Sequence, residues 1–173
     1  MLIKTARPGI YSINGSDPAN SGKVVLAVHP FFLKGHHPDY DVAYFERACN
    51  FIYSHNGPLV TLEEGKNFYR TASIYRLLGK KHDIYLIKTN SNGPEPAEIS
   101  WDTMTDFLLS FRGVSRGFRG FAVRPVGLMG GKYFSEAAGG CFWGVKEELI
   151  SRSVPFEFME GLVFPFFPGA PLY

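Results

Sequence analysis

The feature that most constrains the fold is the run Val24-Val25-Leu26-Ala27-Val28, in which no polar residue interrupts five apolar ones. A strand with one face in water would alternate apolar and polar residues. This run therefore predicts a strand that is buried on both faces, as strands of a parallel sheet are. Pro30 cannot donate to a strand ladder, so the strand is expected to end at His29.

Predicted strands and helices alternate along the rest of the chain. Further strands are predicted at 59–62, 83–87, 121–129 and 156–159, and helices at 41–55, 66–79, 101–111 and 141–152. Such alternation is typical of parallel strands that are joined through helices. We predict an α/β fold, with 1–173 forming a single three-layer α/β/α domain around a mostly parallel five-strand sheet.

Two terminal segments differ from this pattern. Residues 1–22 form a lead-in that is punctuated by Pro and Gly and has room for only a short edge strand near 10–13. Residues 161–173 form an aromatic and proline-rich tail that is expected to cover the body or a neighbouring subunit. The chain has 16 Phe and 9 Tyr residues, and so many rings require a large core or a partner surface. A homo-oligomer, or a non-catalytic ligand-binding protein with an aromatic oligomerisation surface, is therefore an open alternative.

Charge and cysteine content exclude several classes of protein. The formal net charge is +2 and basic residues are not clustered, so a nucleic-acid partner is not predicted. An anion site stays open at four spaced arginines, Arg112, Arg116, Arg119 and Arg124. Two cysteines are few for a secreted disulfide scaffold, and the first residues lack the apolar segment of a signal peptide. No stretch approaches the roughly 18 apolar residues of a membrane span. We expect a cytoplasmic protein.

Polar residues follow the predicted strands at the place where parallel sheets build their sites. Ligands of open α/β sheets bind beyond the carboxyl ends of the strands. The residues at those ends are His29, Glu63, Glu64, Lys88 and the loop 130–141. We expect these regions to converge on one edge of the sheet and to bind a small molecule there.

Cys141 has the sequence surroundings of an activated thiol. It follows Gly139-Gly140 and opens a predicted helix, where backbone N–H groups and the helix dipole stabilise a thiolate. N–H groups near the two glycines would act as oxyanion donors. Lys88 and His29 are the candidates for stabilising the thiolate or moving protons. The alternative is a buried structural cysteine, and both interpretations stay open.

The order of these residues resembles that of the isochorismatase-like cysteine hydrolases, which include nicotinamidases. That family has a triad of an acid that ends the first strand, a lysine that ends a middle strand, and a cysteine that opens a later helix. Lys88 matches the lysine and Cys141 the nucleophile, whereas His29 stands where the family has Asp. The family's cysteine–valine pair reads Cys141-Phe142 here. The resemblance implies thiol-dependent hydrolysis of a small amide-like substrate.

A shorter resemblance surrounds the same cysteine. The run Gly140-Cys141-Phe142-Trp143-Gly144 is similar to the active-site motif of peptide methionine sulfoxide reductase A. The motif lies near the start of that family's catalytic domain, whereas only 32 residues follow Cys141 here. We interpret the match as local convergence on a reactive cysteine, or as chance. Trp143 is expected to line the core or a substrate pocket.

A metal-dependent hydrolase that uses the loop 29–41 is a further alternative. His36, His37 and Asp39 suit zinc or another divalent ion, although no fixed ligand spacing is met. Neither a G-x-G-x-x-G motif after a strand nor a G-x-x-x-x-G-K-[ST] motif is present, so NAD and ATP are not predicted. No cofactor is predicted, and a divalent metal stays open.

Overall fold

The computed structural model describes residues 4–13, 22–31, 42–78, 83–90, 93–111, 124–131 and 140–163. Its strands are β1 Lys4–Arg7, β2 Ile10–Ser12, β3 Val25–Val28, β4 Leu59–Glu64, β5 Ile84–Thr89, β6 Val126–Gly130 and β7 Phe156–Val163. Its helices are α1 Val42–Ser54, α2 Phe68–Leu78, α3 Trp101–Leu109 and α4 Cys141–Ser151, and a 3₁₀ turn at Gly65–Asn67 precedes α2. No helix in these ranges is long and apolar enough to cross a membrane.

One seven-stranded sheet joins all of these strands in the order β1-β2-β5-β4-β3-β6-β7. The five strands from β5 to β7 in that order run parallel to one another. Strands β1 and β2 are antiparallel at one edge. The chain moves from β3 through β4 to β5 and then returns to β6 on the other side of β3. The strand order therefore reverses between β3 and β6.

The mostly parallel α/β fold is confirmed, but the sheet has seven strands and not five. The predicted edge strand near 10–13 is β2, and β1 pairs with it through the turn at Pro8-Gly9. Gly9 has φ +72°, which suits the position after proline in a type II turn. All four residues of β1 are exposed, so no apolar pattern marked it in the sequence.

The other predicted elements are present with shifted ends. The strand predicted at 121–129 begins at Val126, while 121–123 lie outside the described residues. Strand β7 runs four residues beyond the predicted end, to Val163, and so takes up the start of the predicted tail. Helix α4 buries Val145 and Leu149, whereas Ile150 on the same helix is 51% exposed. Helix α3 begins as predicted, with Ser100 Oγ accepting a hydrogen bond from the Thr103 N–H at 3.1 Å.

Alternate residues of β3 enter two different buried clusters. Leu26 and Val28 pack in one cluster with residues of α3 and α4, which we call the α3/α4 cluster. Val25 and Ala27 pack in the other with residues of α1 and α2, which we call the α1/α2 cluster. All four residues are fully buried, which explains why no polar residue interrupts the run.

Candidate functional site

The segments that follow β3 and β6 leave the sheet side by side, at the reversal of strand order. Val28 pairs with Gly130 at the end of the two strands, and the Gly131 N–H donates to the Val28 carbonyl at 2.8 Å. In open α/β sheets, ligands bind in the crevice at such a reversal. We call this place the β3/β6 crevice, bounded by His29, Gly130 and Gly131.

Gly130 lets β6 approach β3 closely in the β3/β6 crevice. Its φ is +136°, a conformation that other residues rarely adopt. A Cβ atom at this position would lie 2.0 Å from the Val28 carbonyl oxygen. The side of the crevice at this point is therefore bare backbone.

His29 lies at the end of β3, where the sequence predicted a site residue. It has a positive φ of 43°, which is uncommon outside glycine, and its side chain is buried. Its N–H donates to the Leu62 carbonyl at 3.0 Å, which extends the β3–β4 ladder by one residue. This ladder sets His29 beside Glu63 on one side and places it at the β3/β6 crevice on the other.

Cys141 is the first residue of α4, as predicted, and its side chain is half-buried against the α3/α4 cluster. Gly140 precedes it with φ +134°, and the Gly140 carbonyl accepts the first helical hydrogen bond from the Gly144 N–H at 3.0 Å. Helix α4 follows β6 in the chain and lies against β3, an arrangement that in open α/β sheets brings a helix start toward the carboxyl ends of the strands. Cys141 is not in a disulfide, and Gly139 lies outside the described residues.

Trp143 occupies the first turn of the same helix and is half-buried. The Lys146 ammonium nitrogen lies 3.5 Å from the centroid of its ring, which is a cation–π contact. Pro94 lies close to the next residue, because a Cβ on Gly144 would come within 2.9 Å of the proline Cγ. The segment after β5 therefore reaches the first turn of α4.

Lys88 ends up in a different group of side chains. Its ammonium donates to Glu98 Oε1 at 2.8 Å and to the Tyr11 hydroxyl at 3.4 Å, and it lies 5.1 Å from the centroid of the Phe68 ring. The hydrogen bond to Glu98 raises the pKa of Lys88, and the same bond lowers the pKa of Glu98. Phe68 belongs to the α1/α2 cluster, whereas Cys141 packs against the α3/α4 cluster. Within the described residues, Cys141 is not a partner of the Lys88 ammonium.

Glu63 is a buried acid at the same edge of the sheet, where it was predicted as a strand-end residue without a chemical role of its own. The predicted strand ended at Leu62, but β4 continues to Glu64 and carries Glu63 under α2. Its Oε1 accepts hydrogen bonds from Thr61 at 2.5 Å and from Tyr75 at 2.9 Å. Burial raises the pKa of Glu63 from its ordinary value of 4.5 to about 7. An acidic residue directly after an apolar strand was the only signal available.

The alternative sites fall largely outside the described residues. This holds for the predicted metal ligands His36, His37 and Asp39, and for the arginines 112, 116 and 119. Arg124 is described and is exposed. In the part of the chain that the structure describes, no group of three His, Cys, Asp or Glu side chains is arranged to hold a metal ion.

Comparisons of this chain with protein-family models, with curated proteins and with solved structures found no match. The two family resemblances of the sequence therefore stay predictions. What the site can do has to be argued from the geometry of the β3/β6 crevice.

Proposed function

We propose that the chain is a cysteine-dependent hydrolase that binds a small amide-like substrate in the β3/β6 crevice. The observation that carries this proposal is the reversal of strand order between β3 and β6. His29 ends one of these strands, and Cys141 opens the helix that follows the other. This order along the chain supports a candidate base and a candidate nucleophile at the crevice where such sheets bind ligands.

Cys141 is the nucleophile of the proposed reaction. Its thiolate attacks the carbonyl carbon of the amide, and the carbon–nitrogen bond then breaks to leave a thioester and an amine. Water hydrolyses the thioester, which releases the carboxylic acid and regenerates the thiol. The positive end of the α4 dipole favours both the thiolate and the oxyanion that forms on the substrate oxygen. Trp143, in the first turn of α4, is proposed to line the substrate pocket.

His29 is the proposed proton carrier. It takes the thiol proton and delivers it to the leaving nitrogen, which is the role that a neutral imidazole suits near neutral pH. This differs from the triad that the isochorismatase-like resemblance implies, in which Lys88 serves the cysteine. The reason for preferring His29 is that the Lys88 ammonium is already held by Glu98 and Tyr11.

The finer architecture belongs to the same proposal. One buried cluster contains residues of α1 and α2 and the other residues of α3 and α4, which supports helices on both faces of the sheet in one three-layer domain. A thiol nucleophile has to stay reduced, which favours the cytoplasm as the place of the reaction.

Alkylation by iodoacetamide between about pH 5 and pH 9 tests the thiol, because only the thiolate reacts. Cys141 and Cys49 are quantified separately by mass spectrometry. Cys49 is the internal control, because it lies in the middle of α1 and burial raises the pKa of its thiol. We expect Cys141 to react faster than Cys49 at neutral pH, and His29→Gln to slow Cys141 alone. Alkylation of Cys141 only after unfolding would overturn the proposal.

Turnover is tested on a panel of small primary amides by measuring released ammonia. Activity should be lost in Cys141→Ala and kept in the matched control Cys49→Ser, since both variants remove one thiol but only one removes the nucleophile. Hydrolysis that survives in Cys141→Ala would assign the reaction to another group.

A further inference from the structure

Three buried oxygen atoms meet where β4 faces α2. Glu63 Oε1 lies 2.5 Å from the Thr61 hydroxyl and 2.9 Å from the Tyr75 hydroxyl, and the two hydroxyl oxygens are 2.8 Å apart. Glu63 is 3% exposed, and Thr61 and Tyr75 are fully buried. The proposed hydrolase uses none of these groups. We call them the Glu63 triangle.

The number of protons in the Glu63 triangle indicates the ionisation state of the acid. Three contacts at hydrogen-bond distance need three protons, and the hydroxyls of Thr61 and Tyr75 supply two. An ionised Glu63 accepts hydrogen bonds and donates none. One of the three oxygen–oxygen contacts would then have no proton between its two atoms. A neutral Glu63 supplies the third proton and closes a ring of three hydrogen bonds.

The strands around Glu63 provide no cation to stabilise its ionised form, as far as the described residues show. Glu64, the next residue of β4, adds a second negative charge that opposes ionisation. Lys88 of β5 is in register with Glu63, but its ammonium is bonded to Glu98 and Tyr11. His29 follows β3 beside Glu63 and is itself titratable, so an experiment has to separate the two groups.

The helices over the Glu63 triangle place tyrosine side chains near Glu63. Tyr75 of α2 is part of the triangle, and Tyr44 of α1 lies near enough to raise the pKa of Tyr75 further, after burial and Glu63. An ionised carboxylate that is buried among neutral groups is costly unless a cation pairs with it. Hydrogen bonds from Thr61, Tyr75 and Thr71 act the other way and lower the pKa of Glu63, but burial outweighs them, so these surroundings favour the neutral acid.

We propose that the Glu63 triangle is a proton-binding switch, in which the neutral acid holds α2 on β4 and loss of its proton loosens that attachment. Tyr75 carries the effect further, because its ring lies 5.2 Å from the ring of Phe31, two residues after His29. A change at Glu63 thus reaches the segment that enters the β3/β6 crevice. The switch does not depend on the proposed hydrolase.

The direction of the pH effect follows from the folded-state pKa. Burial raises the pKa of Glu63 to about 7, above the ordinary value of 4.5, so the folded protein holds this proton more tightly than the unfolded chain does. The stabilisation is fully present below pH 4.5 and is lost as the pH rises through about 7. The switch therefore operates close to neutral pH.

Urea unfolding of the wild type and of Glu63→Gln between about pH 5 and pH 8.5 tests the switch, because glutamine imitates the neutral acid at every pH. Relative to Glu63→Gln, the folded-to-unfolded ratio of the wild type should fall by roughly 100-fold across this range. Glu64→Gln and His29→Gln are the controls, and both should keep the fall. Parallel profiles for the wild type and Glu63→Gln, or loss of the fall in His29→Gln, would overturn the proposal.

Infrared spectroscopy of the native wild type gives a second measurement, which stands even if Glu63→Gln does not fold. Surface carboxyl groups are ionised at about pH 6, so a carboxylic-acid carbonyl band that persists there reports a group with a raised pKa. We expect such a band, fading near neutral pH, with a frequency that moves in Tyr75→Phe. Absence of the band at about pH 6 would refute a neutral Glu63.

Discussion

The ammonium nitrogen of Lys88 lies 2.8 Å from Oε1 of Glu98, and this ion pair fastens the segment after β5 back onto the sheet. The Ala97 N–H supports the same attachment by donating to the Lys88 carbonyl at 2.8 Å. Further along this segment, Pro94 rests against Gly144 in the first turn of α4. Lys88 is thus connected to the neighbourhood of Cys141 through the chain, and not through its own side chain.

Replacing Lys88 by Met should therefore leave Cys141 chemistry intact. We expect the alkylation rate of Cys141 to keep its dependence on pH, and stability to fall by about 0.5–1 kcal/mol, since the pair is partly exposed. Lys66→Met is the matched control, because Lys66 pairs with Glu64 at 3.3 Å but is 59% exposed. Its effect on urea unfolding should be smaller. A shift of the Cys141 profile to higher pH in Lys88→Met would restore lysine to the role that the family resemblance implies.

Glu98 should stabilise the folded protein at neutral pH and lose this effect in acid. The hydrogen bond from Lys88, followed by that from Tyr11, lowers the pKa of Glu98 below its ordinary value of 4.5. Its contribution is then present above pH 4.5 and is lost as the pH falls through the lowered folded-state pKa. Urea unfolding in mildly acidic buffers should show the stability gap between the wild type and Glu98→Gln narrowing as the pH is lowered.

Glu95→Gln serves as the control for that measurement, since it removes an exposed carboxylate from the same segment. The difference in unfolding free energy between Glu95→Gln and the wild type should stay small at every pH. The two acids differ in the sign of their pH dependence. The stabilisation by Glu98 is lost as the pH falls, whereas that by Glu63 is lost as the pH rises. An unchanged gap for Glu98→Gln would mean that the ion pair contributes nothing measurable.

Gly130→Ala should be strongly destabilising. The positive φ of 136° and the 2.0 Å approach of a Cβ to the Val28 carbonyl both oppose a side chain, so we expect a loss of about 3 kcal/mol or more in urea unfolding. Gly65→Ala is the matched control, because the nearest atom to its Cβ would be the Thr89 carbonyl oxygen at 3.7 Å. That variant should stay within about 1 kcal/mol of the wild type. Equal effects of the two substitutions would contradict the geometry described for the β3/β6 crevice.

Ser100→Ala tests the start of α3. The serine hydroxyl accepts the Thr103 N–H at 3.1 Å, and losing such a cap costs about 1 kcal/mol. Ser73→Ala is the comparison, because Ser73 is exposed in the interior of α2, where alanine is the better helix former. Thermal unfolding should rank Ser100→Ala below the wild type and Ser73→Ala close to it. The reverse order would remove Ser100 as the cap.

The parallel part of the sheet could be predicted because its signals are local. The run that became β3 is such a signal, because it lies within five consecutive residues. The same holds for Cys141 at the start of α4. Strand β1 was missed because its residues are all exposed, and an exposed edge strand carries no apolar pattern.

The partners of the site residues could not be predicted, since they depend on pairings between distant segments. Tyr11 reaches Lys88 only because β2 adds to the edge of β5, 77 residues away in sequence. The burial of Glu63 depends on Tyr75 of α2, which packs on β4 and donates a hydrogen bond to the Glu63 carboxyl group. Neither pairing has a signal in the residues next to Lys88 or Glu63.

The placement of β1 and β7 at opposite edges of one sheet has a mechanical consequence. A pulling force applied between these two strands would cross every strand pairing in turn, so the weakest pairing would set the force at which the sheet yields. The contact between β1 and β2 is the expected point of failure, because the residues of β1 are all exposed. Strand β1 would separate from β2 first, and the parallel strands that carry His29 and lead to Cys141 would still be held together.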